Sequence, residues 1–465
     1  MEKSMTSFDV IVIGGGPGGY VAAIKSSLSG KNTALIEEDS LGGVCLNWGC
    51  IPTKSLLRNA EIVGNLSKGE FFGFAVDNIR SDYAKAQVRS RQVSARLVEG
   101  IKHLMRKNKI TVFNDTAKFT GIKQVSLVKT KQRLTAKNMI IATGSNPFWL
   151  PFLDYTEPNV LDSKKALQLT AAPKSMIIVG AGAVGMEFAT IFSAYGTNVY
   201  IVEMQSSILP NEDQAVSDLI QNEYANKHIE IYTGTKITAV KNDGKTVVAK
   251  LEKDGKSFTL TSESILSATG ISPNGRGLDL ALCGVKTDER GFIPVNEHMQ
   301  TSAESVYAIG DITGKLALAH VASAQGMLAV DNICKKSVKP IIYDNVPKCT
   351  YTGPEVASAG LTEQKAISLG YDVGAAVFPL LANGKAISYG ETTGMVKLIY
   401  DKRYGQLLGA HMCGVHVTEM IWGIAGYLNM EMTIEEMQRV IHPHPSVSEA
   451  IMEAAHMANG EPIHI

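Results

Sequence analysis

Two stretches of this chain repeat one pattern, and that pattern leaves few folds open. Phe8-Asp9-Val10-Ile11-Val12-Ile13 has the length and apolar content of a buried strand. Glycines follow at 14, 16 and 19, then a small-residue stretch from Tyr20 to Leu28, then a second strand-like run ending at Glu37. The pattern returns at Ser175-Met176-Ile177-Ile178-Val179, with Gly180, Gly182 and Gly185, and a second run ending at Glu203. Each acid stands 23 residues beyond its first glycine. A strand, a glycine turn, a helix and a second strand ending in an acid describe a dinucleotide-binding βαβ unit. Glycine permits the tight turn and a close approach of backbone to pyrophosphate. The helix start offers that anion unpaired N–H groups. Glu37 and Glu203 would each accept hydrogen bonds from ribose hydroxyls. The alternative, a glycine-rich turn in an ordinary α/β domain, is disfavoured because both copies are complete.

The second acid also bears on the nucleotide. Glu203 would repel a 2′-phosphate, which needs Arg or Lys nearby. No Lys or Arg occurs between Glu203 and Asn226. NAD is therefore favoured over NADP at the second unit, whereas a mere surface glutamate would leave that choice open.

The 465 residues suggest about three domains. With 45% hydrophobic residues they can bury sizeable cores. The 45 basic and 45 acidic side chains cancel, which argues against nucleic acid or a polybasic membrane contact as partner. The apolar run from Val10 breaks at once into glycines, unlike a signal helix. No apolar stretch of membrane-spanning length, about 18 residues or more, lacks turn formers, so no membrane span is expected. Six cysteines in such a length do not make a disulfide scaffold. They fit a reducing compartment, hence a cytoplasmic location.

Between the repeats, Val88 to Lys107 has the periodicity of an amphipathic helix. A strand ending in Ala142-Thr143-Gly144 recurs as one ending in Ala268-Thr269-Gly270. A third strand, from Ser305 to Ile309, ends in Gly310-Asp311, and a helix is expected from about His320 to Cys334. The last 120 residues or so change to strand-like runs such as Met395–Tyr400, followed by helical periodicity. The expected fold is α/β: two Rossmann-like dinucleotide-binding domains plus a C-terminal α+β domain. The expected segments are 1–149, 150–272, a return to the first domain over 273–343, and 344–465.

Cys45 and Cys50, with four residues between them in Gly42-Gly43-Val44-Cys45-Leu46-Asn47-Trp48-Gly49-Cys50-Ile51-Pro52-Thr53-Lys54, can close a small disulfide ring. Three readings compete. A zinc site would need two more ligands; His442 and His444 adjoin prolines far along the chain, and no metal site is expected. A structural disulfide or two buried thiols is the second. The third is a redox pair, favoured because Pro52 would open a helix with Cys50 at its N-terminus, where a thiolate is stabilised. Lys54 would share that face, as either a nearby positive charge or a solvent lysine. In His444-Pro445-Ser446-Val447-Ser448-Glu449, a base held by a carboxylate and a plain helix capping box (Ser446 with Glu449) are equally good readings. Thiol exchange needs such a base, because the thiolate is the nucleophile.

With these motifs in this order the chain resembles the flavoprotein disulfide reductases along its whole length. GGVCLNWGCIPTK is similar to the family's redox segment, and HPHPSVSEA to its C-terminal His–Glu segment. The resemblance implies FAD at the first unit, with Gly14, Gly16, Gly19, Glu37, Lys54, Thr143, Gly144 and Asp311 around it. It implies NAD at the second, with Gly180, Gly182, Gly185, Glu187, Glu203 and Gly270. Cys45 would exchange with substrate and Cys50 would face the flavin. Lys54 would lie by the flavin ring and pair with Glu187. His444 and Glu449 would act from the partner subunit of a homodimer built by the C-terminal domain. The implied activity is oxidation of protein-bound dihydrolipoyl groups with NAD⁺. The implied partner is the lipoyl-bearing acyltransferase core of 2-oxo acid dehydrogenase complexes, with the glycine cleavage system as a further setting. The rivals are a reductase for glutathione-like substrates or mercuric ion, and a non-catalytic flavin-binding assembly protein. Two residues depart from the family pattern: Val44 stands where threonine is usual, and Trp48 replaces a smaller residue.

Overall fold

The computed structural model describes residues 6–75, 77–78, 80–225, 227 and 229–465. The chain divides into two compact units. The first comprises Met1–Ser55, Lys85–Phe148 and Gly270–Ile341. The second comprises Leu56–Ala84, Trp149–Thr269 and Ile342–Ile465.

In the first unit the strand Thr6–Ile13 lies parallel between Thr33–Glu37 and Arg133–Ile141, pairing Val10 with both Thr33 and Asn138. Thr111–Asn114 extends the sheet beyond Thr33–Glu37. Val306–Ala308 pairs with the end of Arg133–Ile141. An antiparallel ribbon, Ala117–Gly121 and Gln124–Leu127, covers its beginning. Val10, Ile11 and Val12 are wholly buried, as expected for a parallel strand covered on both faces. The helix Pro17–Leu28 packs closely on Ala319–Ile333. A Cβ on Gly326 would stand 2.7 Å from the Gly18 carbonyl oxygen, so this crossing depends on glycine.

The second unit contains a parallel sheet in the order Ile229–Tyr232, Asn198–Val202, Ser175–Val179, Ser264–Ser267, Val160–Leu161. It also holds a three-stranded antiparallel sheet over 236–262. Its C-terminal part is a five-stranded antiparallel sheet, Lys348–Thr350, Glu355–Gly360, Leu407–Gly414, Met395–Asp401, Val373–Pro379. The helices Val417–Asn429 and Glu449–Ala458 pack against this sheet through residues such as Ile421, Ile424, Ile451 and Ala454. The two Rossmann-like sheets and the α+β end match the expected fold class. The helix expected from Val88 runs from Tyr83 instead. Tyr83 is buried within the second unit against Phe192 and Tyr195, and this packing lengthens the helix beyond its amphipathic stretch.

One buried ion network braces the second unit. Lys397 Nζ lies 2.8 Å from Asp213 Oδ1 and 2.6 Å from Glu363 Oε2. Burial acts to raise the Asp213 carboxyl, but Lys397 and backbone N–H donors outweigh it and hold the group below its ordinary value. Lys397 is likewise held above its ordinary value against the effect of burial. The Asp213 contribution to stability is therefore present above the ordinary carboxylate range and is lost as pH falls through the depressed folded value. Lys397→Met strands the Asp213 charge and is expected to cost about 3–5 kcal/mol. Denaturant unfolding should show this loss, and Asp213→Asn on the Lys397→Met background should recover part of it.

Candidate active site

The glycines of the two turns divide into those the protein itself requires and those it does not. At Gly14 φ is +104° and a Cβ would stand 2.2 Å from the Ala142 carbonyl oxygen; at Gly19 it would stand 1.8 Å from that of Gly14. Gly180 and Gly185 repeat this, at 2.6 Å from Ala268 O and 2.0 Å from Gly180 O. At Gly16 the nearest atom to such a Cβ is 3.9 Å away, and at Gly182 none lies within 4 Å. Both middle glycines sit at helix N-caps, with extended backbone before Pro17–Leu28 and Ala183–Ala194. The outer glycines thus serve the turn, and the middle one keeps a cradle at the helix start that suits a pyrophosphate. Gly182→Ala is expected to leave the melting temperature unchanged while weakening NAD binding about tenfold or more, about 1.4 kcal/mol. Calorimetric titration of the nucleotide beside a melting curve checks both halves.

The acids also have a task the sequence reading did not include. Glu37 Oε2 accepts the Gly15 N–H at 2.6 Å and Oε1 that of Asp39 at 2.8 Å. Glu203 does the same with Ala181 and Gln205, each at 2.8 Å. Each carboxylate clamps its own glycine turn and keeps further lone pairs for ribose hydroxyls. Burial pushes Glu37 up, and the two N–H donors oppose it.

Beside the first turn, the Thr143 hydroxyl is buried without a hydrogen-bond partner. Gly144 is in the left-handed region, and Ser145 Oγ donates to Asp311 Oδ2 at 2.7 Å. Burial raises the Asp311 carboxyl and the Ser145 bond lowers it, with a net rise. An orphan hydroxyl, an anion cradle, the buried Glu37 and the half-buried Asp311 form a donor and acceptor set that fits a group with phosphates and many hydroxyls, as FAD has. In the second unit, Glu187 is buried and its Oε1 accepts the Tyr351 N–H at 3.0 Å. Gly270 leads into the strand Ile271–Pro273, and its carbonyl accepts the Phe148 N–H within the first unit.

Cys45 lies in the short helix Gly43–Trp48, and Cys50 opens the helix Cys50–Leu66 after a break at Gly49. Both are thiols here, half-buried and hydrogen-bonded to one another. The bond to Cys50 and then burial push the Cys45 thiol far up, while Lys54 pulls it down. Cys50, at a helix N-terminus, is the sulfur placed to carry charge. Among the described residues no three of His, Cys, Asp and Glu are grouped to hold a metal ion.

His444 and Glu449 do meet. His444 Nδ1 lies 2.9 Å from Glu449 Oε1, and Glu449 Oε2 accepts the Ser446 N–H at 2.8 Å. Burial would raise Glu449, but the Ser446 and His444 bonds hold it below its ordinary value. An ionised carboxylate only accepts, so Nδ1 carries the hydrogen and Nε2 is left bare to take a proton. Half of the capping box is also present: the Ser446 hydroxyl pairs with Ser448 instead of the Glu449 N–H. The helix begins at Glu449 itself, later than a box starting at Ser446 requires. One glutamate thus serves both readings. The neighbouring His442 is lowered by burial and raised less by Glu449, and its Nε2 is buried without a partner.

Sequence reasoning missed Ser145, Tyr351, Asn47 and Arg91. Ser145 directly follows the Ala-Thr-Gly turn, and this adjacency was the available signal. Tyr351 and Arg91 meet their partners only through the fold.

Comparison with known proteins agrees with this geometry. Residues 8–326 match the pyridine nucleotide-disulphide oxidoreductase family, and residues 346–455 match the dimerisation domain of the same family. The chain belongs to the pyridine nucleotide-disulphide oxidoreductases. It is 42% identical over 474 residues to a dihydrolipoyl dehydrogenase of Rhizobium etli, covering 98% of each chain. It is 39% identical over 475 residues to one of Bacillus subtilis, covering 99% of each. The fold alone is shared with the crystal structure of LpdA from Mycobacterium tuberculosis, at a TM-score of 0.90 and 24% identity over 97% of this chain and 99% of that one. Family membership implies FAD and a pyridine nucleotide as cofactors, and the matched dimerisation domain supports a homodimer. Among the described residues no helix is long and apolar enough to cross a membrane.

Proposed function

We propose that this chain oxidises protein-bound dihydrolipoyl groups to the disulfide with NAD⁺ as acceptor, as a dihydrolipoyl dehydrogenase. The observation that carries the reading is the likeness to such enzymes over 98% of the chain, a span that includes both the cysteine pair and the His–Glu pair. Segments 1–149 and 273–343 would hold FAD, 150–272 NAD, and 344–465 the dimer contact. Each subunit would lend His444 and Glu449 to the cysteines of its partner.

The steps follow from the side chains. In the oxidised enzyme Cys45 and Cys50 form a disulfide. His444 Nε2 takes a proton from one substrate thiol, and the resulting thiolate attacks the Cys45 sulfur. The Cys45–Cys50 bond breaks, Cys50 leaves as thiolate, and substrate and Cys45 are joined by a mixed disulfide. The second substrate thiol attacks the substrate sulfur of that bond and closes the lipoyl ring. Cys45, released from the mixed disulfide, takes the proton of that second thiol. Two electrons have then passed from the dithiol substrate to the enzyme pair. FAD, when bound, supplies the two-electron relay from this pair to NAD⁺. Glu449 holds His444 in the tautomer with a bare Nε2, Glu203 selects against a 2′-phosphate, and Lys54 lends positive charge at the pair.

The expected macromolecular partner is the lipoyl-bearing acyltransferase core of a 2-oxo acid dehydrogenase complex, in the cytoplasm. Stopped-flow assays with dihydrolipoamide and NAD⁺, beside glutathione disulfide and NADPH, test the reading. It predicts kcat/KM at least about a hundredfold higher for the first pair. Equal or greater activity with the second would contradict it.

A further inference from the structure

The loop between the two reacting cysteines is held from outside by an arginine. Arg91, on the helix Tyr83–Lys107, donates through Nη1 to the Asn47 carbonyl oxygen at 2.5 Å. Its guanidinium carbon also stands 4.7 Å from the centroid of the Trp48 ring. Asn47 and Trp48 lie between Cys45 and Cys50. The Asn47 amide donates in turn to the carbonyls of Leu41 and Gly43, at 3.1 and 2.9 Å. On the far side, Thr53 Oγ1 donates to the Gly49 carbonyl at 2.7 Å, and Arg89, two residues before Arg91, donates to Ser55 Oγ at 2.8 Å.

The six-residue helix Gly43–Trp48 is too short to be stable by its own hydrogen bonds. Its last carbonyls lack intrahelical partners and favour a cation. Arg91 supplies both a donor and a charge there. Trp48 gives the guanidinium a flat face on which to lie. We propose that Arg91 is a positioning residue for the redox pair, holding the loop through Asn47 and Trp48 so that Cys45 and Cys50 stay within bonding reach in both oxidation states. This rests on the redox reading of the pair. A disulfide tolerates only a narrow range of Cα separations, so a loop free to open lowers the effective concentration of one thiol at the other.

Releasing the clamp therefore makes the disulfide easier to reduce. Holoenzyme equilibrated in glutathione redox buffers, then quenched, alkylated and read at the peptide containing Cys45 and Cys50, measures the dithiol-to-disulfide ratio. Arg91→Met, which removes both the Asn47 bond and the stack, is expected to shift that ratio about tenfold toward dithiol, about 30 mV for a two-electron couple, and Trp48→Val, which removes only the stack, by less but more than twofold. Arg91→Lys keeps a donor but not the flat stack and should fall between Arg91→Met and the parent. The double variant Arg91→Met/Trp48→Val should shift no further than Arg91→Met alone, because that change already removes the contact with Trp48. A ratio within twofold of the parent in Arg91→Met, or two effects that multiply, would overturn the proposal. Should Arg91→Met fail to fold, Trp48→Val and Arg91→Lys decide it on the same scale. A parent protein whose pair does not titrate at all would overturn the redox reading itself, and the clamp with it.

Discussion

Cys45→Ser should abolish dihydrolipoamide oxidation, by at least about ten-thousand-fold in kcat, while FAD content and melting temperature stay near those of the parent. The expectation follows from what sulfur does at this position. A hydroxyl cannot form the disulfide that the substrate thiolate attacks, and no other described thiol lies in the Cys45–Cys50 loop. Serine is nearly isosteric with cysteine, and Cys45 is only half-buried, so little packing is lost. Cys50→Ser should be equally inactive, for a different reason: Cys45 then has no partner sulfur to release as thiolate. The two variants separate at the flavin. With Cys50 present, the thiolate at the start of the helix Cys50–Leu66 should perturb the flavin absorbance of Cys45→Ser, whereas Cys50→Ser should lack that band.

His444→Gln carries the second large effect, a fall in kcat/KM of about a hundred- to ten-thousand-fold, the usual range for a lost general base. The residual rate should climb with pH, because substrate thiols must then ionise unaided, near the ordinary thiol range of about 8.5. Glu449→Gln should lose less. An amide still reaches Nδ1, but it offers that nitrogen either a donor or an acceptor, so the bare Nε2 is no longer assured. Because Glu449 is held below its ordinary value, its contribution should persist down through mildly acid pH and fail only as the carboxyl protonates. A pH profile of kcat/KM for the two variants beside the parent checks both slopes.

The residues that were legible in the sequence lie within short contiguous segments. Gly14, Gly16 and Gly19 with Glu37, and their copies at 180–203, announce themselves because turn, helix start and acid are fixed by local geometry. Cys45 and Cys50 need only four intervening residues, and His444 and Glu449 are five apart. What stayed hidden depends on chain segments that meet only in the fold. Ser145 reaches Asp311 across 166 positions and Asp213 reaches Lys397 across 184. The helix at Tyr83 begins early because aromatic residues more than a hundred positions away bury it. Arg91 was invisible for the same reason, although Trp48 stood out as a departure. Its partner was needed to show what a large flat side chain could do there. The spacing of Glu37 and Glu203 shows what they offer a ribose, whereas the tie each makes to its own glycine turn is visible only in the structure.

The central claim is that Cys45 and Cys50 take two electrons from a dihydrolipoyl dithiol and yield them to NAD⁺. Mixing the oxidised holoenzyme anaerobically with one equivalent of dihydrolipoamide, quenching in acid and alkylating tests it directly. New label is expected on Cys45 and Cys50 together, absent without substrate, and both labels are lost when NAD⁺ is added before the quench. Oxidation of the lipoyl group with neither cysteine labelled would contradict it.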